Sequence, residues 1–172
     1  MKFALHSHPD RLLAAVRGVG VDLARDSDAL RLTYAVNGVG IVWPAPRSPA
    51  RADGLWRSTC FELFLRFDDD EHYVEFNFSP STQWAAYAFD GYREGMADLA
   101  CSPPVIERMA AGVCVALDLS ALPHGEPAMA LAAVIEEDGG AKSYWSLAHP
   151  PGAPDFHHPA CFAARLPSPT PP

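Results

Sequence analysis

The stretch CFELFLRF, Cys60 to Phe67, and the stretch YVEFNFS, Tyr73 to Ser79, flank the acidic Asp68-Asp69-Asp70-Glu71 and decide the fold. In the first, Phe61, Leu63, Leu65 and Phe67 alternate with Cys60, Glu62, Phe64 and Arg66. In the second, Val74, Phe76 and Phe78 alternate with Tyr73, Glu75, Asn77 and Ser79. A period of two places alternate side chains on opposite faces of a strand. Two such runs around a polar turn predict a β-hairpin with one apolar face. Glu62, Arg66, Tyr73, Glu75 and Asn77 then project together from its other face.

The same pattern continues on both sides of the hairpin. LRLTYAV from Leu30 sets Leu30, Leu32, Tyr34 and Val36 against Arg31, Thr33 and Ala35, and VCVALDL from Val113 alternates in the same way. MALAAVI from Met129 reads as a buried strand, and WAAYAF from Trp84 and SYWSLA from Ser143 add two more. DRLLAAVRGV, Asp10 to Val19, offers the one helical alternative, weakened by its valines and by Gly18. About seven short strands divided by turn residues predict an all-β fold, a β-sandwich of two antiparallel sheets.

Composition agrees. The 172 residues include 17 prolines and 12 glycines, an excess that disfavours a helical bundle, while 49% hydrophobic content separates the chain from generically disordered sequences. The expected organisation is a single domain over 1–166 with a disordered proline-rich tail, PSPTPP, over 167–172. WPAPRSPARADG, Trp43 to Gly54, reads as a long surface loop. A net charge of −8 without a basic block argues against nucleic acid as a partner. No window approaches the ~18 apolar residues of a membrane span, so no membrane partner is expected. Four isolated cysteines, Cys60, Cys101, Cys114 and Cys161, and the lack of a signal-peptide core point to a cytoplasmic location.

Catalytic motifs are missing. There is no nucleophile elbow, phosphate loop, complete dinucleotide fingerprint or HExxH zinc pair, and the expectation is a protein that is not an enzyme. The DFHHPAC segment gathers Asp155, His157, His158 and Cys161, all competent zinc ligands, but no second ligand pair accompanies them and a structural loop is the plainer reading. The acidic turn lacks the glycine and spacing of a calcium loop. No metal ligands are assigned. The polar hairpin face is the stronger candidate, because carboxylates, a carboxamide and aromatic rings are what hydroxyl groups and sugar C–H faces require.

GLWRSTCFELFLRF, then YVEFNFSPSTQWAAYAFDGYREGM, then YWSLAHPPGAPDFHHPACFAARL resemble the DOMON-like domains related to family 9 carbohydrate-binding modules. The resemblance covers about Leu30 to Leu166 and implies a jelly-roll-like β-sandwich that binds sugar or haem. On it, Trp56 and Trp145 would form an aromatic clamp, and Glu62 would accept hydroxyl hydrogen bonds, with Asn77, Gln83 and Arg93 as further ligand-binding residues beside Glu75, which the hairpin alternation adds. The function so implied is non-catalytic binding of a carbohydrate or similar polyhydroxylated ligand on a concave sheet face. Two alternatives stay open: a haem-binding electron-transfer module, for which Met96, Met109 and several histidines are available, and a protein-interaction domain without a small ligand. The sequence leaves the cofactor unknown.

Overall fold

A computed structural model describes residues 1–9, 15–67 and 71–168. Among these residues there is no α-helix, and none is long and apolar enough to cross a membrane. The strands are β1 (Lys2–Ser7), β2 (Val16–Asp26), β3 (Ala29–Gly38), β4 (Cys60–Arg66), β5 (Tyr73–Phe78) and β6 (Trp84–Phe89), then β7 (Ala97–Asp98), β8 (Val105–Met109), β9 (Gly112–Asp118), β10 (Ala128–Glu136), β11 (Lys142–Ser146) and β12 (Ala164–Arg165). They hydrogen-bond in the order β7-β6-β5-β4-β10-β11-β1-β2-β3-β9-β8, with β12 on β10.

The expectation of two separate sheets is corrected here. β1 pairs through Lys2–Leu5 with β2, and through His6 and Ser7 with β11, so the two halves form one antiparallel sheet that curls into a half-barrel. MKFALHS, not read as a strand from its sequence, makes that seam. The helical alternative fails where it can be tested. Val16 to Val19 belong to β2, paired with β3, and Asp10 to Ala14 lie outside the described residues. β-Branched Val19 and Val21, at alternate positions, favour that pairing over a helical turn.

Between the halves lies the main core: Val19, Val21, Leu32 and Tyr34 from one side, and Phe61, Leu63, Phe76, Phe78, Leu131 and Trp145 from the other. Burying one such side chain contributes about 1.5–3 kcal/mol, so these alternate positions supply much of the drive to fold. The Tyr34 hydroxyl crosses this core and donates to the Glu62 carbonyl at 2.8 Å, pinning β4 at its centre.

The paired strands β4 and β5 place Glu62 opposite Asn77 and Phe64 opposite Glu75. β10 flanks β4 and β6 flanks β5, so this hairpin lies in the interior of the sheet with no free edge. Asp68 to Asp70 of its turn lie outside the described residues. Of the tail, the Pro167 carbonyl accepts from Arg25 at 3.0 Å, and the Ser168 hydroxyl donates to the Glu126 carboxylate.

Candidate functional site

The outer face of β4, β5, β6 and β10 is not bare. Phe64, Tyr73, Ala85, Tyr87, Phe89, Ala130, Ala132 and Val134 form a second apolar cluster, covered by Phe156 and Cys161 from the segment between β11 and β12. That segment carries DFHHPAC. It covers one part of the face and stops short of another, leaving a cavity of about 1110 Å³. Glu62, Glu75, Tyr87, Arg93, Phe156 and His157 are among its lining residues, and Asp53, Gly54 and Trp56 bring the proline-rich loop to its rim.

Glu62 and Glu75 project into this cavity because β4 and β5 keep the same parity across the hairpin. Both are deeply buried, at 3% and 6% exposure. Asn77 Nδ2 donates to Glu75 Oε1 at 2.6 Å, and His157 Nε2 lies 3.8 Å from Glu75 Oε2. No hydrogen bond reaches the Glu62 carboxylate from the described residues. Burial pushes the Glu62 carboxyl well above the usual carboxylate range, and the neighbouring Glu75 charge raises it further, against the opposing pull of the Arg93 guanidinium. Burial likewise raises Glu75, against the opposing pull of the Asn77 hydrogen bond and the Arg93 guanidinium.

A polar network holds the covering segment in place. The backbone N–H of Arg93 donates to the Tyr73 hydroxyl at 3.3 Å, and that hydroxyl lies 2.8 Å from His157 Nδ1. The Tyr73 hydroxyl thus links the backbone of Arg93 to the His157 ring. Burial holds the His157 pKa down to about 4, with the Arg93 charge acting in the same sense, so the imidazole is neutral. Arg93 donates to Asp155 Oδ1 at 2.7 Å, Tyr92 donates to the other Asp155 oxygen, and Asp155 Oδ1 also accepts the His157 backbone N–H at 3.1 Å. Arg93 has a positive φ of 58°. A non-glycine residue in that region costs on the order of 1 kcal/mol or more, here held by contacts on both its backbone and its side chain.

At the rim, Gly54 has a φ of 68° and turns the chain into the short 3-10 segment Leu55–Arg57. Glycine adopts that conformation without a Cβ penalty. Trp56 follows it with 52% exposure, and the Arg57 guanidinium lies 5.5 Å from the centre of its ring. On β6, the Tyr87 hydroxyl donates to Asp53 Oδ1 at 2.6 Å, fastening the loop to the sheet.

The residues expected from the sequence therefore divide. Trp56, Glu62, Glu75 and Arg93 line the cavity, and Asn77 stands behind Glu75 as its donor. Gln83 does not line it. Trp145 is corrected: it pairs with Ala133 on β10, lies in the main core, and donates from Nε1 to Ser143 Oγ at 3.0 Å. Its neighbour Tyr144 has the opposite parity and lines the cavity. Tyr87, Asp53, Tyr144 and His157 were missed as site residues, although alternation within WAAYAF and YWS marks Tyr87 and Tyr144 as sharing a face of their strands. The candidate zinc ligands have other tasks: Asp155 holds Arg93, His157 meets Tyr73, His158 accepts from the Ala160 N–H, and the Cys161 thiol donates to the Asp155 carbonyl.

No family model matches this chain, and no curated protein matches it. Among solved structures, it is similar to a Bacteroides uniformis protein described as a "putative carbohydrate-binding protein". The likeness has a TM-score of 0.62 and covers 94% of this chain and 83% of that one, at 17% identity. At that identity the two share a fold.

Proposed function

We propose that the cavity on the Glu62/Glu75 face binds a carbohydrate and does not transform it. The observation that carries this reading is a pair of buried carboxylates at the floor of a roughly 1110 Å³ cavity whose walls also present aromatic rings. Sugar hydroxyls need acceptors and donors in fixed positions, while their C–H faces pack on aromatic surfaces. Glu62 and Glu75 supply acceptors, and Tyr144 and Phe156 supply apolar surface. The aromatic contribution is reassigned to Trp56 and Tyr144, since Trp145 is occupied in the core. The fold shared with a protein described as carbohydrate-binding supports the same reading, as does the resemblance to carbohydrate-binding modules.

The haem alternative finds less support. Met96 and His157 line the same cavity, with His157 Nδ1 2.8 Å from the Tyr73 hydroxyl and Nε2 3.8 Å from Glu75 Oε2, and no arrangement among the described residues beyond that shared lining points to haem. The test is a glycan panel followed by calorimetric titration with wild type and Trp56→Ala. Binding of a carbohydrate weakened by Trp56→Ala supports the proposal; a panel with no binder contradicts it.

A further inference from the structure

The floor of the cavity is more specific than a general sugar surface. Glu75 Oε1 accepts from Asn77 Nδ2 at 2.6 Å, while His157 Nε2 lies 3.8 Å from Oε2, beyond hydrogen-bond reach. Glu62 has no donor from the described residues, although it is only 3% exposed and its side chain lines the cavity. Its oxygens open onto the cavity, so donors on a bound molecule can reach them directly.

Arg93 pulls both carboxyls down through its charge, but no hydrogen bond from it reaches either carboxylate among the described residues. Arg93 is engaged by Asp155 at 2.7 Å, and Arg57 lies over the Trp56 ring at the rim. Asp53 and Asp98 also line the wall, Asp53 accepting from the Tyr87 hydroxyl at 2.6 Å and Asp98 lying 3.5 Å from Arg51. His157 is neutral, its pKa held down to about 4 by burial. A neutral hydroxyl offers such a floor one donor, whereas an ammonium group offers three and a compensating charge. Hydrogen bonds from a charged donor to a carboxylate are about twice as strong as neutral ones.

Building on the carbohydrate reading, we propose that the sugar taken by this cavity carries a free amino group, whose ammonium is held by Glu62 and Glu75. An N-acetylated sugar loses the charge and two of the donors. A sugar acid would face the same carboxylates with a like charge. The selectivity therefore lies in the substituent, and three oligosaccharides with the same β-1,4 backbone isolate it: a glucosamine trisaccharide, its fully N-acetylated form and cellotriose.

Calorimetric titration of the full chain with each of the three tests the proposal. The glucosamine trisaccharide is expected to bind at least tenfold more tightly than the other two, and Glu62→Gln is expected to erase that preference. Equal or tighter binding of cellotriose or of the acetylated trisaccharide overturns the proposal while leaving the carbohydrate reading in place. If none of the three binds, the proposal also falls, and the wider glycan panel decides separately whether the cavity takes carbohydrate at all. Circular dichroism establishes that Glu62→Gln is folded, and Glu75→Gln serves as the second variant; the wild-type ranking of the three sugars decides the outcome even if both misfold.

Discussion

The two faces of β4 and β5 are buried almost equally and built in opposite ways. Phe61, Leu63 and Phe76 on the core face are fully buried, and Glu62, Glu75 and Asn77 on the cavity face are 3%, 6% and 1% exposed. On the core face every side chain meets apolar neighbours from the other half of the sheet. On the cavity face, Glu75 accepts from Asn77, and the Glu62 carboxylate opens onto the cavity with no donor among the described residues. Burial alone does not separate structural from functional positions in this protein. What differs is access: the Glu62 carboxylate faces the cavity, whereas buried atoms without a hydrogen-bond partner, such as Arg66 Nε, Glu137 Oε1 and Ser146 Oγ, belong to residues outside its lining.

Substitutions on the two faces are expected to have different consequences. The largest effect belongs to the core face: Phe76→Ala removes a fully buried ring and is expected to cost about 3–5 kcal/mol in chemical denaturation, enough to unfold a marginal domain. A smaller effect follows from His157 at the edge of the cavity. Its pKa in the folded protein is about 4, below the value of about 6.5 expected in the unfolded chain. A depressed folded value means that its contribution to stability is present above pH ~6.5 and is lost as pH falls towards ~4. The loss is on the order of 2 kcal/mol over that window, and His157→Phe should flatten the stability profile measured by denaturation at successive pH values.

The two carboxylates titrate in the opposite sense. Burial raises both, so any stability linked to their protonation is present below the ordinary carboxylate range and is lost as pH rises through their raised folded values. Smallest in its effect on the fold is Trp56→Ala. At 52% exposure the residue contributes little to packing, and stability should stay within about 0.5 kcal/mol of wild type. Sugar affinity measured by titration should nevertheless fall by several-fold, on the order of 1 kcal/mol, as the loss of an aromatic contact requires.

Local alternation made much of this legible in the sequence. The parity of CFELFLRF and YVEFNFS placed Glu62, Glu75 and Asn77 on one face, and their strands occur where the pattern puts them. The position of Trp145 was not legible, because its facing depends on the register of β11 against β10, a pairing between distant segments. One residue of phase exchanges Trp145 for Tyr144 at the cavity. The seam made by β1 was hidden for a related reason: KFALHS carries His6 and Ser7 where it leaves β2 and joins β11, and neither residue announces a strand. The Arg93–Asp155 pair joins residues 62 positions apart, so no spacing rule could have matched them.

The most direct test of the difference between the two faces is a paired measurement on Glu62→Gln, thermal unfolding and sugar titration at neutral pH. The variant keeps the shape of the side chain and removes its capacity to carry a buried charge. It is expected to be more stable than wild type, by on the order of 1 kcal/mol, and to bind the sugar at least tenfold more weakly. A variant that is less stable than wild type and binds equally well would contradict the account, because Glu62 would then serve the fold and not the ligand.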